Sequence, residues 1–164
     1  MLNFAERLII ALAEANVEFV VVGGISAVMH GAPIVTRDID VCYRRVDANL
    51  IRLADALQPF QPKLRDFPEG VPNLFDVHSL RLGCNFTLIA DNQALDLLGV
   101  MSGLGGYEDI IDRTTEMDVA GHLVKVLSLE DLIRTKRAAG RPKDLAVLPT
   151  LEATLQMQRE LDQQ

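Results

Sequence analysis

FVVVGGISAVMHGAPIVTRDIDVCY, residues 19–43, combines a buried strand, a glycine turn, a short helix and a second strand with two aspartates. Residues 17–22 are almost continuously apolar and β-branched, which is typical of a strand covered on both faces. Each half of the stretch is a weak signal by itself. Their order and spacing together predict a functional site, and the remaining segments are interpreted in relation to it.

Two glycines end the first strand. Gly23 and Gly24 allow positive φ and bring backbone N–H groups close to whatever lies beyond the strand end. Ser26 follows, and the next residues favour a helix. A glycine turn at a helix N-terminus can bind an anion, because the N–H donors and the helix dipole point the same way. An ordinary tight turn would carry the same glycines, so this pair alone leaves both interpretations open.

The second half carries a pair of carboxylates. Side chains alternate along a strand, so Asp38 and Asp40 are predicted to share one face, with Ile39 and Val41 on the other. The two Cα atoms would lie roughly 6–7 Å apart and the carboxylates could converge on one cation. Without a cation they would repel each other. The alternative is the polar face of a solvent-exposed edge strand.

The chain length indicates one domain, residues 1–164, since 164 residues suffice for one core. No apolar run reaches the roughly 18 residues that a membrane helix needs. The N-terminus has no basic leader, and Cys42 and Cys84 are isolated. We therefore expect a cytoplasmic protein with no membrane partner.

The net charge of −7 argues against a broad basic face for nucleic acid. A local basic segment within residues 134–143 remains a candidate for binding nucleic acid or a triphosphate. It consists of Arg134, Lys136, Arg137, Arg141 and Lys143.

Periodicity and capping signals predict the flanking elements. Residues 3–15 have the spacing of an amphipathic helix, and Asp47 is predicted to cap a helix over 48–57. Residues 58–73 hold four of the seven prolines and are predicted to be a mostly irregular loop. Pro149 is predicted to break or restart the last helix.

One more aspartate stands in an apolar strand. Residues 86–89 and 94–100 are predicted to form a strand, a turn and a strand, and Asp96 lies among leucines in the second. A buried lone carboxylate is costly unless it is paired or metal-bound, so Asp96 is a candidate third member of the acidic site. The alternative is an edge strand with Asp96 facing water.

A lysine lies on the apolar face of the next predicted helix. Ser128 is predicted to cap this helix together with Asp131, three residues on. Lys136 shares the apolar spacing, so it either reaches the rim of the core or enters a cleft and binds phosphate.

Five segments in this order resemble the nucleotidyltransferase superfamily related to DNA polymerase β. They are GGISA (23–27), TRDIDV (36–41), ALDLLG (94–99), VLSLEDLIRTK (126–136) and GRPKDL (140–145). Within it, the chain looks most like small bacterial proteins akin to AbiEii-type abortive-infection toxins. The resemblance implies an α/β domain with a small mixed sheet, acidic strands at its centre and flanking helices mainly on one side. Its core would span about 17–127, and a C-terminal helical part would span 128–164.

The resemblance also implies a division of labour among the candidate residues. Gly23, Gly24, Ser26 and Lys136 would hold a nucleoside triphosphate such as ATP. Asp38, Asp40 and Asp96 would be catalytic and would bind Mg²⁺ or Mn²⁺, with Asp96 assisting the metal or accepting a proton.

The implied reaction transfers a nucleoside monophosphate to a hydroxyl of RNA such as tRNA, of a protein or of a small molecule. A toxin role with a cognate antitoxin partner is implied as well. Two positions depart from the pattern that relatives often show, namely Ile34 in place of arginine and Val147 in place of aspartate. The alternative function is a non-catalytic nucleotide-sensing or partner-binding module. A phosphohydrolase is disfavoured because no histidine cluster accompanies the aspartates.

Overall fold

Apolar and β-branched runs form a seven-stranded mixed sheet in the computed structural model, which describes residues 1–164. The strand order across the sheet is β3-β4-β5-β2-β1-β7-β6. The strands are β1 (Phe19–Val22), β2 (Ile39–Tyr43), β3 (Lys63–Leu64), β4 (Asn85–Ala90), β5 (Gln93–Leu98), β6 (Thr114–Val119) and β7 (His122–Leu127). β1 pairs antiparallel with β2 and parallel with β7, while β2 and β5 are parallel. The predicted α/β class is confirmed.

Seven α-helices flank this sheet. They are α1 (Phe4–Glu14), α2 (Gly23–Met29), α3 (Asp47–Leu57), α4 (Val77–Leu82), α5 (Tyr107–Ile110), α6 (Leu129–Ala139) and α7 (Pro142–Asp162). The helix predicted over residues 3–15 is confirmed as α1, whereas α4 was not predicted. None of the helices combines the length and the apolar character that crossing a bilayer requires.

Alternation along β1 divides the apolar core into two layers. Phe19 and Val21 belong to the layer under α1 and α3, and Val20 and Val22 belong to the layer under α6 and α7. The expectation of helices mainly on one side is therefore wrong. Because β1 is continuously apolar, both of its faces must be buried against helices.

The acidic strand β2 follows the same alternation. Ile39 and Val41 lie in the first layer, and Cys42 lies in the second. Asp40, two residues from Cys42, thus lies on the sheet face that α6 and α7 cover. This alternation therefore places the candidate site on the sheet face that α6 and α7 cover.

The predicted cap of α3 is wrong. Val46 is the N-cap residue and makes no side-chain cap bond. Asp47 is instead the first residue of the helix and accepts a 2.7 Å hydrogen bond from Arg81 Nε. Because α4 lies beside α3, an arginine partner distant in sequence is within reach of this carboxylate.

The predicted break at Pro149 is also wrong, because α7 runs through it from Pro142 to Asp162. Proline removes one helical N–H and clashes with the carbonyl four residues earlier, that of Leu145. Packing offsets this cost, since Leu151 on α7 is completely buried in the second layer.

We expect Pro149→Ala to raise the midpoint temperature of thermal unfolding by several degrees. A proline inside a helix costs up to about 3 kcal/mol relative to alanine, and about 1 kcal/mol shifts the midpoint by roughly 2–4 °C at this size. Circular dichroism during heating measures the change. An unchanged or lower midpoint would show that the helix is not strained at this position.

Candidate functional site

Asp40 and Asp96 lie side by side on neighbouring strands. β2 and β5 pair in a register that sets Asp40 opposite Asp96, and β1 sets Val22 opposite Asp40. Residues directly opposite each other project from the same face of a sheet. The alternative of an edge strand is wrong for Asp96, because β5 lies between β4 and β2.

This juxtaposition changes the ionisation of Asp40. Burial, followed by the negative charges of Asp96 and Asp38, raises the pKa of Asp40 from 3.8 to about 7. The positive charge of Lys136 acts in the opposite direction. Asp96 Oδ1 is buried without a hydrogen-bond partner, and Arg65 Nη2 lies 3.5 Å from it. Two crowded carboxylates, one of which is reluctant to ionise, are what a bound cation would stabilise.

The donor set fits Mg²⁺ or Mn²⁺, which prefer oxygen ligands. No group of three Asp, Glu, His or Cys side chains is already gathered as a complete metal cluster. Mg²⁺ is commonly held by one or two carboxylates together with water and substrate phosphates. Asp40 and Asp96 are thus adequate protein ligands without a full protein cage.

Asp38 lies just outside the strand, because β2 begins at Ile39. The strand-face prediction therefore applies to Asp40 but not to Asp38. Pairing stops here because Asp40 is opposite Val22, the last residue of β1. Asp38 is exposed, yet its charge still contributes to the raised pKa of Asp40.

Gly23 allows the strand–helix turn to approach the acidic pair. Its φ is +63°, a conformation that favours glycine. A Cβ at this position would lie 2.7 Å from Asp40 Cγ and closer still to Oδ2. At Gly24, a Cβ would lie 2.7 Å from Thr36 Oγ1. Both glycines are therefore required by close packing against the acidic strand and the segment before it.

Ser26 does not fit its predicted contact with a triphosphate. It is completely buried, and its hydroxyl donates a 2.7 Å hydrogen bond to the carbonyl oxygen of Gly23. Helix α2 begins at Gly23 itself, which places Ser26 inside the first turn facing the core. Ser26 stabilises the glycine turn.

Lys136 lines a cleft, and its binding of phosphate there stays a prediction. A cavity of about 390 Å³ is lined by Gly23 and Asp40 on the sheet side and by Lys136, Arg141 and Asp144 on the helical side. Asp38 and Asp96 do not line it. The sheet side therefore carries the Asp40 carboxyl group, and the helical side carries two cations with the Asp144 carboxylate between them.

Asp144 holds the two cations in place. Its Oδ1 is 3.2 Å from Lys136 Nζ, and its Oδ2 is 2.6 Å from Arg141 Nε. Burial of Asp144 favours its neutral form, but hydrogen bonds from Arg141 and Lys136 outweigh this effect and lower its pKa. Asp144 was missed as a site residue, although the GRPKDL segment and its eight-residue distance from Lys136 contained the signal.

The predicted basic segment does not form one basic surface. Arg134 lies 3.6 Å from Asp131, and Arg137 pairs with Glu152. Arg134, Arg137 and Glu152 line a separate groove between α6 and α7. Only Lys136 and Arg141 are directed to the cavity beside Asp40.

Comparison with known structures identifies the fold. No protein-family model matches the chain, and no curated protein matches it significantly. A candidate nucleotidyltransferase from Thermotoga maritima is 18% identical, with 96% of this chain and 92% of that chain covered and a TM-score of 0.52. The antibiotic-resistance factor ANT(2'')-Ia is 14% identical in both a crystal and a solution structure, with TM-scores of 0.54 and 0.56. These cover 91% of this chain and 86% and 80% of the other chains.

The chain has a nucleotidyltransferase-like fold. At 14–18% identity these similarities establish the architecture only. Within this fold, both departures from the sequence pattern are apolar contacts, because Ile34 and Val147 pack against the second core layer. Ile34 and Val147 contribute to packing in this layer, and neither adds a charge to the site.

Proposed function

We propose that this chain transfers a nucleoside monophosphate from a nucleoside triphosphate to a hydroxyl acceptor, with Mg²⁺ or Mn²⁺ held by Asp38, Asp40 and Asp96. The observation that supports this most is the polarity of the cleft. Asp40, whose strand neighbour is Asp96, lines the sheet side of the cavity, and Lys136 and Arg141 line the helical side. A metal–triphosphate complex has the matching arrangement of cation and anionic oxygens.

Each residue has a part in the proposed reaction. The acceptor oxygen bonds to the α-phosphorus, the bond to the bridging oxygen breaks, and pyrophosphate leaves. Asp96 accepts the hydroxyl proton or helps to hold the metal, and the metal supplies charge neutralisation when bound. Gly23 and Gly24 leave the backbone bare for the triphosphate. Lys136 and Arg141 offset its negative charge.

The acceptor is proposed by class only. One ANT(2'')-Ia structure is a complex with adenylyl-2''-tobramycin, which is a nucleotidylated small molecule. RNA such as tRNA and protein hydroxyls are the other classes, and a toxin role with an antitoxin partner, as in AbiEii-type systems, stays a prediction. A cytoplasmic setting and a single domain over residues 1–164 stay predictions.

Release of labelled pyrophosphate from each γ-labelled nucleoside triphosphate tests the proposal. The reaction contains Mg²⁺ and, in separate arms, total bacterial RNA, bacterial protein extract or aminoglycosides. We expect acceptor-dependent release that is lost in the double variant Asp38→Asn/Asp40→Asn. Binding of the metal–triphosphate complex without release in any arm would instead favour the non-catalytic module.

We expect Lys136→Met to raise the KM for the nucleoside triphosphate about tenfold with a smaller change in kcat. The substitution keeps most of the side-chain volume but removes one charge-assisted contact, which is worth about 1.5–3 kcal/mol. Asp144 keeps its contact with Arg141, so the fold is retained. Steady-state kinetics measure the change, and exposed Lys143→Met is the matched control. Equal effects of both substitutions would contradict the placement of Lys136 in the site.

A further inference from the structure

An arginine that the sequence did not indicate lies next to the acidic pair. Arg65 follows β3, and its N–H donates a 2.9 Å hydrogen bond to the carbonyl oxygen of Thr87. Thr87 is opposite Asp96, which is opposite Asp40. Thr87, Asp96 and Asp40 therefore project from one face of three neighbouring strands, and Arg65, just beyond the end of β3, lies next to this row.

The guanidinium reaches across the small Thr87 to Asp96. Arg65 Nη2 lies 3.5 Å from Asp96 Oδ1 and 3.4 Å from the carbonyl oxygen of Leu88. Both side chains are about one-third exposed, at 31% and 30%. The contact is therefore partly protected from water, and its electrostatic effect is stronger than that of a fully exposed ion pair.

The backbone holds this arginine independently of Asp96. The Thr87 and Leu88 carbonyl oxygens fix its main chain and its Nη2. Arg65 Nε and Asp96 Oδ1 are both buried and have no hydrogen-bond partner. The pair is thus an ion-pair contact without a complete hydrogen bond, and the charge of Arg65 acts on Asp96 through Oδ1.

Two cations flank the acidic pair from different elements. Lys136 on α6 acts on Asp40 through the cavity, while Arg65 contacts Asp96 and does not line that cavity. Contact with Arg65 through Oδ1 leaves Asp96 Oδ2 for the acidic site. This division gives the two carboxylates separate positive neighbours.

We propose that Arg65 is a positioning residue that holds Asp96 by one oxygen and directs it towards Asp40. The functional part of this inference rests on the proposed nucleotide transfer, in which Asp96 assists the metal or accepts the proton. Arg65 acts through Asp96 and touches neither the triphosphate cavity nor Lys136.

A double-mutant cycle in metal-free protein tests the coupling. Arg65→Met is introduced into the wild type and into Asp96→Asn, with the full chain in EDTA. We expect the unfolding midpoint to fall by about 2–4 °C in the wild type and by much less in Asp96→Asn, where the partner charge is absent. Arg65→Lys keeps the charge and is expected to retain most of the stability.

Arg81→Met is the matched control, because Arg81 pairs with Asp47 away from the site. We expect it to lower the midpoint equally in both backgrounds. An equal fall for Arg65→Met in both backgrounds would overturn the proposal, since Arg65 would then stabilise the fold without acting through Asp96.

Kinetics separate a positioning role from a merely structural one. We expect Arg65→Met to lower kcat about tenfold, to leave the KM for the triphosphate within about twofold, and to be partly rescued by Arg65→Lys. An unchanged kcat, or a loss confined to KM, would overturn the functional part. If the wild type transfers no nucleotide, the proposed function fails, while the thermal cycle still decides whether Arg65 positions Asp96.

Discussion

Asp40→Asn lowers the rate of nucleotide transfer at least about a thousandfold and raises the stability of the metal-free protein. Losing a carboxylate ligand removes several kcal/mol of charge stabilisation, and about 4 kcal/mol corresponds to roughly a thousandfold in rate. The stability gain follows because Asp40 is buried beside Asp96. Few substitutions combine loss of activity with gain of stability, so the result distinguishes a functional carboxylate from a structural one.

The stability gain depends on pH in a defined direction. Folding raises the pKa of Asp40 from 3.8 to about 7, so the folded protein keeps a proton that the unfolded chain releases above about pH 4. The contribution of Asp40 to stability is therefore complete below about pH 4 and is lost as the pH rises through 7. The difference of about three pKa units corresponds to at most about 4 kcal/mol.

Thermal unfolding in EDTA at pH 5 and at pH 8 measures this effect. We expect the midpoint of Asp40→Asn to exceed that of the wild type more at pH 8 than at pH 5. Exposed Asp55→Asn is the matched control and is expected to give a difference that does not change with pH. A wild type that is more stable than Asp40→Asn at pH 8 would contradict the assigned crowding of the two carboxylates.

Gly23→Ala has the second largest expected effect, a loss of at least about a hundredfold in transfer rate together with a lower unfolding midpoint. The added methyl group would meet Asp40 Cγ at 2.7 Å, so the carboxylate or the glycine turn must move. The φ of +63° adds a backbone cost of about 1–2 kcal/mol. A displacement of about 1 Å in a catalytic group is enough to cost roughly a hundredfold.

Gly31→Ala separates the effect of backbone strain from that of the steric collision between residue 23 and Asp40. Gly31 has φ +87°, but a Cβ there would meet no atom within 4 Å. We expect a comparable backbone cost in thermal unfolding and a transfer rate close to that of the wild type. Equal losses of activity in the two variants would show that the contact between Gly23 and Asp40 has no functional role.

Local patterns were sufficient where a residue's neighbours along the chain determine its structure. Apolar β-branched residues predicted β1, and the placement of Asp40 beside Asp96 follows from two strands that each carry one carboxylate among apolar residues. The Ser128 cap is confirmed as well, since its hydroxyl accepts from Asp131 N–H at 3.2 Å. In each case the structure is determined by residues close together in sequence or by the alternation of side chains along a strand.

Partners distant in sequence were not predictable from these patterns. Arg65 reaches Asp96 across two strand pairings, and Arg81 replaces the expected cap contact of Asp47. Ser26 was expected to hold a triphosphate just before a helix, but the helix begins three residues earlier, at Gly23, and Ser26 is buried in the core. Packing on α6 likewise overrides the helix-breaking tendency of Pro149.

Calorimetry of nucleoside triphosphate binding in the presence and absence of Mg²⁺ is the most direct test of the proposed site, because it requires no knowledge of the acceptor. An analogue with a methylene group between the α- and β-phosphates prevents turnover. We expect at least one such analogue to bind in a manner that depends on Mg²⁺ and is lost in Asp40→Asn but retained in Asp55→Asn. Absence of binding for all four bases, or binding that depends on neither Mg²⁺ nor Asp40, would contradict the proposed nucleotide site.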